Sequence, residues 1–194
     1  MTEYSSNICT IDDTVFHRIK GKSYKDNCCI SLDDLRYITV LYYGFDRHFH
    51  KGELIVNKEI AKNVTCIFKE LFYAHYPIEK ICLVDLYDAD DNASMADNNS
   101  SCFNYRTIDG STTLSNHSKG LAIDINPLYN PYVRTINGTL SVLPKEGTAY
   151  VDRTKNCPFM IKKGDVCYNT FIKYGFSWGG EWIYSKDYQH FEYV

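Results

Sequence analysis

Apolar residues recur at three- and four-residue steps most clearly at Ile60, Val64, Ile67, Phe68, Leu71 and Phe72, which predicts an amphipathic helix opening at Asn57 as N-cap and closed by Pro77. A second helix is expected after Asp165, with Val166, Phe171 and Tyr174 among its apolar positions and Gly175 as its stop. Residues 31–38, SLDDLRYI, open with Ser31 and carry Asp34 three positions on, a capping-box pattern for a short helix. Strands are expected at TVLYYGF (39–45) and GELIVN (52–57), neighbours across a turn near Lys51 and Gly52, and a buried strand at KICLVDLYD (80–88). Residues 88–101, DADDNASMADNNSS, read as a polar loop, long enough to be functional or mobile. Strict alternation returns at 121–126, where Leu121, Ile123 and Ile125 form an apolar face and Asp124 lies on the other, beside the small Ala122. An irregular stretch containing Pro127, Pro131, Gly138 and Pro144 follows, and the last five residues alternate as a final strand. Helices and short strands without a regular strand-helix repeat predict an α+β fold, a small antiparallel sheet with flanking helices.

The 194 residues suffice for one domain with a sizeable core. A net charge of -3 removes the electrostatic case for nucleic-acid binding, and no apolar run reaches the length of a membrane span. The opening MTEYSSNICTIDD lacks a basic start and an apolar stretch, so no secretory signal is visible. Eight cysteines invite a structural metal, but no two stand two to four residues apart. Cys66, Cys82 and Cys167 fall in apolar stretches and are expected as small buried hydrophobes.

The candidate chemistry sits in LSNHSKGLAIDINP, residues 114–127. Positions seven apart on a continuous strand face opposite ways, so His117 and Asp124 can meet only if the chain turns between them. Gly120 allows that turn. The pair offers two metal ligands, and a catalytic zinc commonly takes three, so a further histidine is expected. His17, His48, His50 and His75 sit among charged or aromatic residues and read as surface or core histidines. His190 differs: it shares a strand face with Glu192 and follows Asp187 by three residues, which supplies a ligand and a carboxylate suited to general-base work.

The pattern S-x-H-x-x-G-x-A-x-D from Ser115 to Asp124, followed by W-G-G and D-x-x-H-F-E, resembles the VanY-like zinc peptidases of bacterial cell-wall peptides. That family includes D-alanyl-D-alanine carboxypeptidases and L-alanyl-D-glutamate endopeptidases. GELIVN, YPIEKICLVDLY, SMADNNSSCFNYR, AIDINPLYNPYV and YGFSWGGEW look like family segments in order, so the resemblance covers roughly residues 30–194, with 1–29 as an N-terminal extension of a single domain. It implies a hedgehog-type α+β fold, one catalytic zinc (Zn2+) on His117, Asp124 and His190, Asp187 as catalytic acid or base, and Arg106 against the oxyanion. It also implies a peptidoglycan stem peptide as substrate and an extracytoplasmic, cell-wall location. Aspartate at 187 resembles the endopeptidase branch, whereas the carboxypeptidases commonly carry glutamate. Arg47 stands where related sequences often turn with glycine. Ser115 either orients His117 or touches substrate, or merely caps a turn. Trp178 either walls the cleft or packs in the core. Asp152 and Arg153 either shape the pocket or form a surface ion pair. Two rival readings are a non-catalytic, zinc-containing module that binds cell-wall peptides and a zinc-independent interaction protein.

Overall fold

The structure, a computed structural model, describes residues 2–193. Its largest sheet is antiparallel, with β2 (Leu35–Tyr43) between β1 (Ser6–Cys9) and β3 (Phe49–Asn57). Both faces of the β2–β3 ribbon are covered. Ile38, Val40, Leu54 and Val56 point into the main core, while Leu35 and Ile55 point into a second cluster built with Val15 and Ile19 of helix α1 (Asp13–Ile19). That double burial is why LIV at 54–56 reads as an uninterrupted apolar run.

Helix α2 (Ala61–Tyr73) lays Val64, Ile67, Phe68 and Leu71 on the main core, as its spacing predicts. Its ends differ from expectation. Asn57 is the last residue of β3, although its Oδ1 still accepts the Glu59 N–H at 3.1 Å, and the helix stops before His75, which turns left-handed (φ 52°) ahead of Pro77. Helix α4 (Val166–Lys173) begins where predicted, with the Asp165 carboxylate accepting the Tyr168 N–H at 2.7 Å, and Gly175 (φ 88°) follows it.

The short helix expected at 31–38 shrinks to one 3-10 turn, Leu32–Asp34, under the Ser31 cap. From Leu35 onward, pairing with strands on both sides outweighs the capping pattern. The hairpin turn lies at 44–48, with Arg47 left-handed (φ 65°), so Lys51 and Gly52 are inside β3 rather than at its turn. Only Lys80–Ile81 of the expected buried strand is strand (β4); Val84–Tyr87 form a 3-10 turn. The polar loop 88–101 contains helix α3 (Asp91–Ala96), capped by Asp90, and strand β5 (Asn99–Ser100), parallel to β4.

After β6 (Ala122–Asp124), the stretch expected to be irregular forms a hairpin of β7 (Tyr132–Ile136) and β8 (Thr139–Leu143). Its base is tied down by buried Asn130, whose amide donates to the carbonyls of Ile125, Asn126 and Phe159. Strand β9 (Phe176–Trp178) leads to β10 (Ser185–Asp187), which joins β7, and to β11 (His190–Tyr193), which runs between β6 and β9. Val194, the last residue of the expected final strand, lies outside the described residues. The architecture is thus mixed α and β with small, mainly antiparallel sheets. Among the described residues no helix is long and apolar enough to cross a membrane.

Cys167 is buried as expected, Cys82 is partly buried, and Cys66 is exposed because it falls on the outer side of α2; all eight cysteines are free. Arg18 of α1 binds Glu53 of β3, with Nη1 2.9 Å from Oε2, and the Tyr37 hydroxyl donates to the same oxygen at 2.6 Å. Burial works to raise the Glu53 carboxyl, but these partners hold it below its ordinary value. A depressed carboxyl contributes stability above its unfolded pKa and loses it as pH falls through the folded one. Glu53→Gln should therefore be less stable than wild type at neutral pH, and the gap should close on acidification below pH ~4; chemical denaturation at several pH values measures it.

Candidate active site

Register builds the first half of the site. In the antiparallel pair of β6 and β11, His190 stands directly opposite Asp124, so both side chains leave the same face. His117 arrives from a 3-10 turn, Asn116–Lys119, whose N-cap Ser115 accepts the His117 N–H at 3.3 Å. Gly120 then turns left-handed (φ 66°) and hands the chain to β6. The turn is held from outside, because the end of β3 grips it: Asn57 N–H donates to the Gly120 carbonyl at 2.8 Å, and its side-chain amide donates to the Lys119 carbonyl at 3.1 Å. A Cβ on residue 120 would lie 2.7 Å from that Asn57 nitrogen.

Hydrogen bonding on the far side of each ring fixes the tautomers. Nδ1 of His117 lies 2.5 Å from the Cys102 carbonyl oxygen, which can only accept, so Nδ1 carries the proton and Nε2 presents its lone pair. Nε2 of His190 faces the Glu192 carboxylate at 3.4 Å, which leaves Nδ1 as the inward atom. Glu192 is itself held by the Asn116 amide at 2.6 Å. The two inward nitrogens are 3.2 Å apart, and the Asp124 oxygens lie 3.2 Å from His117 and 3.1 Å from His190.

Three acceptor atoms in mutual contact, on residues no more than 6% exposed, form a site for a cation. Ligands ~2.0–2.1 Å from a tetrahedral zinc lie roughly 3.3 Å from one another, so these spacings and this donor set fit that ion. The local field agrees. Burial disfavours charge on His190, yet bonding to Asp124 and Glu192 pushes its pKa up to about 10. Burial likewise works to raise Asp124, but the two imidazoles hold it far below the usual carboxylate range. Both directions say that the position favours positive charge.

Asp187 ends β10 opposite Tyr132 of β7 and faces the same cavity. Its Oδ1 is shielded and has no hydrogen-bond partner. Burial drives its carboxyl up to about 7, His190 pulls it back, and Asp124 pushes it further up. Gly179 makes the approach possible: a Cβ there would meet the Asp187 carbonyl at 2.7 Å and its Cβ at 2.9 Å. Arg106 is clamped to the His117 turn through its backbone. Its N–H donates to Ser118 Oγ at 2.9 Å, and its carbonyl accepts from Ser118 Oγ at 2.7 Å and from the Ser115 N–H at 3.1 Å.

A cleft of about 460 Å³ therefore brings together His117, Asp124, His190, Asp187, Arg106 and Ser115. Trp178 is not on its wall. It sits opposite Phe191 on the core side of the β9–β11 pair, 6% exposed, with Nε1 donating to the Tyr188 carbonyl at 2.9 Å. Trp182 lines the cleft instead, its ring 5.3 Å from that of His190. Arg153 neither pairs with Asp152 nor enters the cleft. It donates to the carbonyls of Tyr129, Tyr150 and Ile161 and stacks 4.3 Å from the Tyr188 ring, bracing the segment between Asp187 and His190 from behind. His17, His48 and His75 are exposed, and His50 pairs with Asp46. Sequence reading missed Trp182, Asn116 and Asp91, which pairs with Arg106. Only the W-G-G-E-W spacing hinted at the first, since a second tryptophan follows the glycines.

Residues 109–193 match the family model described as D-alanyl-D-alanine carboxypeptidase. The match covers less than half of the chain and is a likeness to that peptidase family. It spans the three clustered ligands and Asp187, whereas Arg106 and Asp91 precede it. No curated protein and no solved structure matches the chain. Because Gly120 needs both a left-handed backbone and the space of its missing Cβ, Gly120→Ala should lower unfolding stability by about 2 kcal/mol or more. Thermal and denaturant melts read this directly.

Proposed function

We propose that the protein is a zinc-dependent peptidase of hedgehog-type fold that hydrolyses an amide bond in the stem peptide of peptidoglycan, acting outside the cytoplasmic membrane. The observation that carries this reading is the convergence of three inward ligand atoms beside a carboxylate whose Oδ1 has no partner, in one cleft and within a segment that matches a peptidase family. His117, Asp124 and His190 would hold the ion. When bound, zinc supplies Lewis acidity that polarises a carbonyl and lowers the pKa of water.

The chain's own groups do the rest. Asp187 takes the proton of the attacking water as oxygen bonds to the carbonyl carbon, and gives it to the departing nitrogen as the C–N bond breaks. A carboxyl raised by burial towards neutrality suits both transfers. Arg106, always charged, faces the negative oxygen that forms in between. Ser115 fixes the turn that carries His117.

His117→Ala should lose bound zinc as well as turnover, read by elemental analysis of the purified protein; a variant that keeps one equivalent of zinc contradicts the ligand set. Asp187→Asn should keep zinc and lose about 100-fold or more in kcat on muropeptides. Product masses identify the bond: release of terminal alanine marks a carboxypeptidase, and separation of L-alanine from glutamate marks an endopeptidase. Zinc and peptide binding without turnover in the wild type would favour a binding module instead.

A further inference from the structure

Arg106 brings a long, many-rotamer side chain to the cleft, and one contact fixes it. Its Nη2 lies 2.8 Å from Oδ2 of Asp91, both side chains being about three-quarters buried (25% and 23% exposed). Among the described residues nothing else bonds the guanidinium firmly. Nε is shielded and has no partner, and Nη1 reaches only the Thr107 carbonyl at 3.4 Å. An ion pair of that length at one corner tethers the group and leaves its other N–H groups free.

The chain reaches this contact through a strained turn. Asp88 (φ 53°) and Ala89 (φ 60°) are consecutive left-handed residues without a glycine, a conformation that costs free energy at alanine. It is braced on every side: Lys22 binds the Asp88 carboxylate at 2.7 Å, the Ala89 N–H donates to the Val84 carbonyl at 3.0 Å, and the Asn104 amide donates to the Ala89 carbonyl at 3.3 Å. Beyond it, Asp90 caps α3, and Asp91 occupies the first turn, directed at Arg106.

We propose that Asp91 is a positioning residue for Arg106, fixing the guanidinium so that its free N–H edge meets the oxygen that becomes negative during hydrolysis. The inference rests on the reading of Arg106 given above. In that reaction the water oxygen bonds to the carbonyl carbon and the carbonyl electron pair moves onto oxygen. The pair returns as the C–N bond breaks, and the nitrogen leaves with the proton carried by Asp187. An arginine aimed in advance matters between those two moments and little to substrate binding, so its positioning residue acts on kcat rather than KM.

The test is a double-mutant cycle on a muropeptide substrate with zinc-loaded protein. Asp91→Ala should lower kcat about tenfold with KM within about twofold of wild type. Asp91→Asn, which keeps an acceptor oxygen, should retain more activity than Asp91→Ala. In an Arg106→Ala background, Asp91→Ala should cost nothing further. An equal loss in both backgrounds would mean a structural role and overturn the inference. An activity-independent readout is the Arg106 side-chain N–H signal in NMR, which should become mobile in Asp91→Ala; a signal as ordered as in wild type also overturns it. Full turnover by Arg106→Ala would overturn the reading of Arg106 and this inference together. Loss there, combined with an unaltered Asp91→Ala, sinks this inference alone.

Discussion

Three acceptor atoms about 3.2 Å apart, shut away from water, repel one another unless something positive lies between them. The rest of the site follows from keeping them there. Each imidazole is turned inward by a partner that can only accept, the Cys102 carbonyl for His117 and the Glu192 carboxylate for His190. Asp124 and His190 share a face because β6 and β11 pair in one register, and a slip of one residue would send one of them to the opposite side of the sheet.

The surrounding elements act as clamps on that centre. The end of β3 holds the turn that carries His117, and two serines of the same turn hold the backbone of Arg106, so both residues are tied to one turn. From the other side, Gly179 lets the backbone close on Asp187, while Arg153 stacks under Tyr188 between Asp187 and His190. The cleft thus belongs to no single sheet. Its floor is the β6–β11–β9 sheet, and Asp187 comes from the neighbouring sheet of β10, β7 and β8.

The three residues that cluster were legible in the sequence because their logic is local: alternation places Asp124, glycine permits the turn, and His190 stands next but one to a carboxylate. Helix α2 was legible because its apolar face packs on one core. Misreadings arose where long-range partners decided the outcome. Ser31 and Asp34 carry a helix-start pattern, but Leu35 onward is captured by strands on both sides. The β7–β8 hairpin has few apolar alternations because much of it faces solvent or the cleft. Trp178 and Trp182 are alike in the sequence, and only the pairing of Trp178 with Phe191 sends one into the core. Asp91 stood among four aspartates in DADDNASMAD, with no local signal to single it out.

The positions that meet at the centre are far apart along the backbone: residue 117 touches residue 190, 73 positions away. A divalent ion gripping both would act as a reversible crosslink, closing a long loop with the central strand of the β6–β11–β9 sheet as one of its ends. It would bind the folded chain and ignore the random coil, so its free concentration would set resistance to heat and proteases by mass action. Metal supply would then govern how long each molecule survives as well as how fast it works.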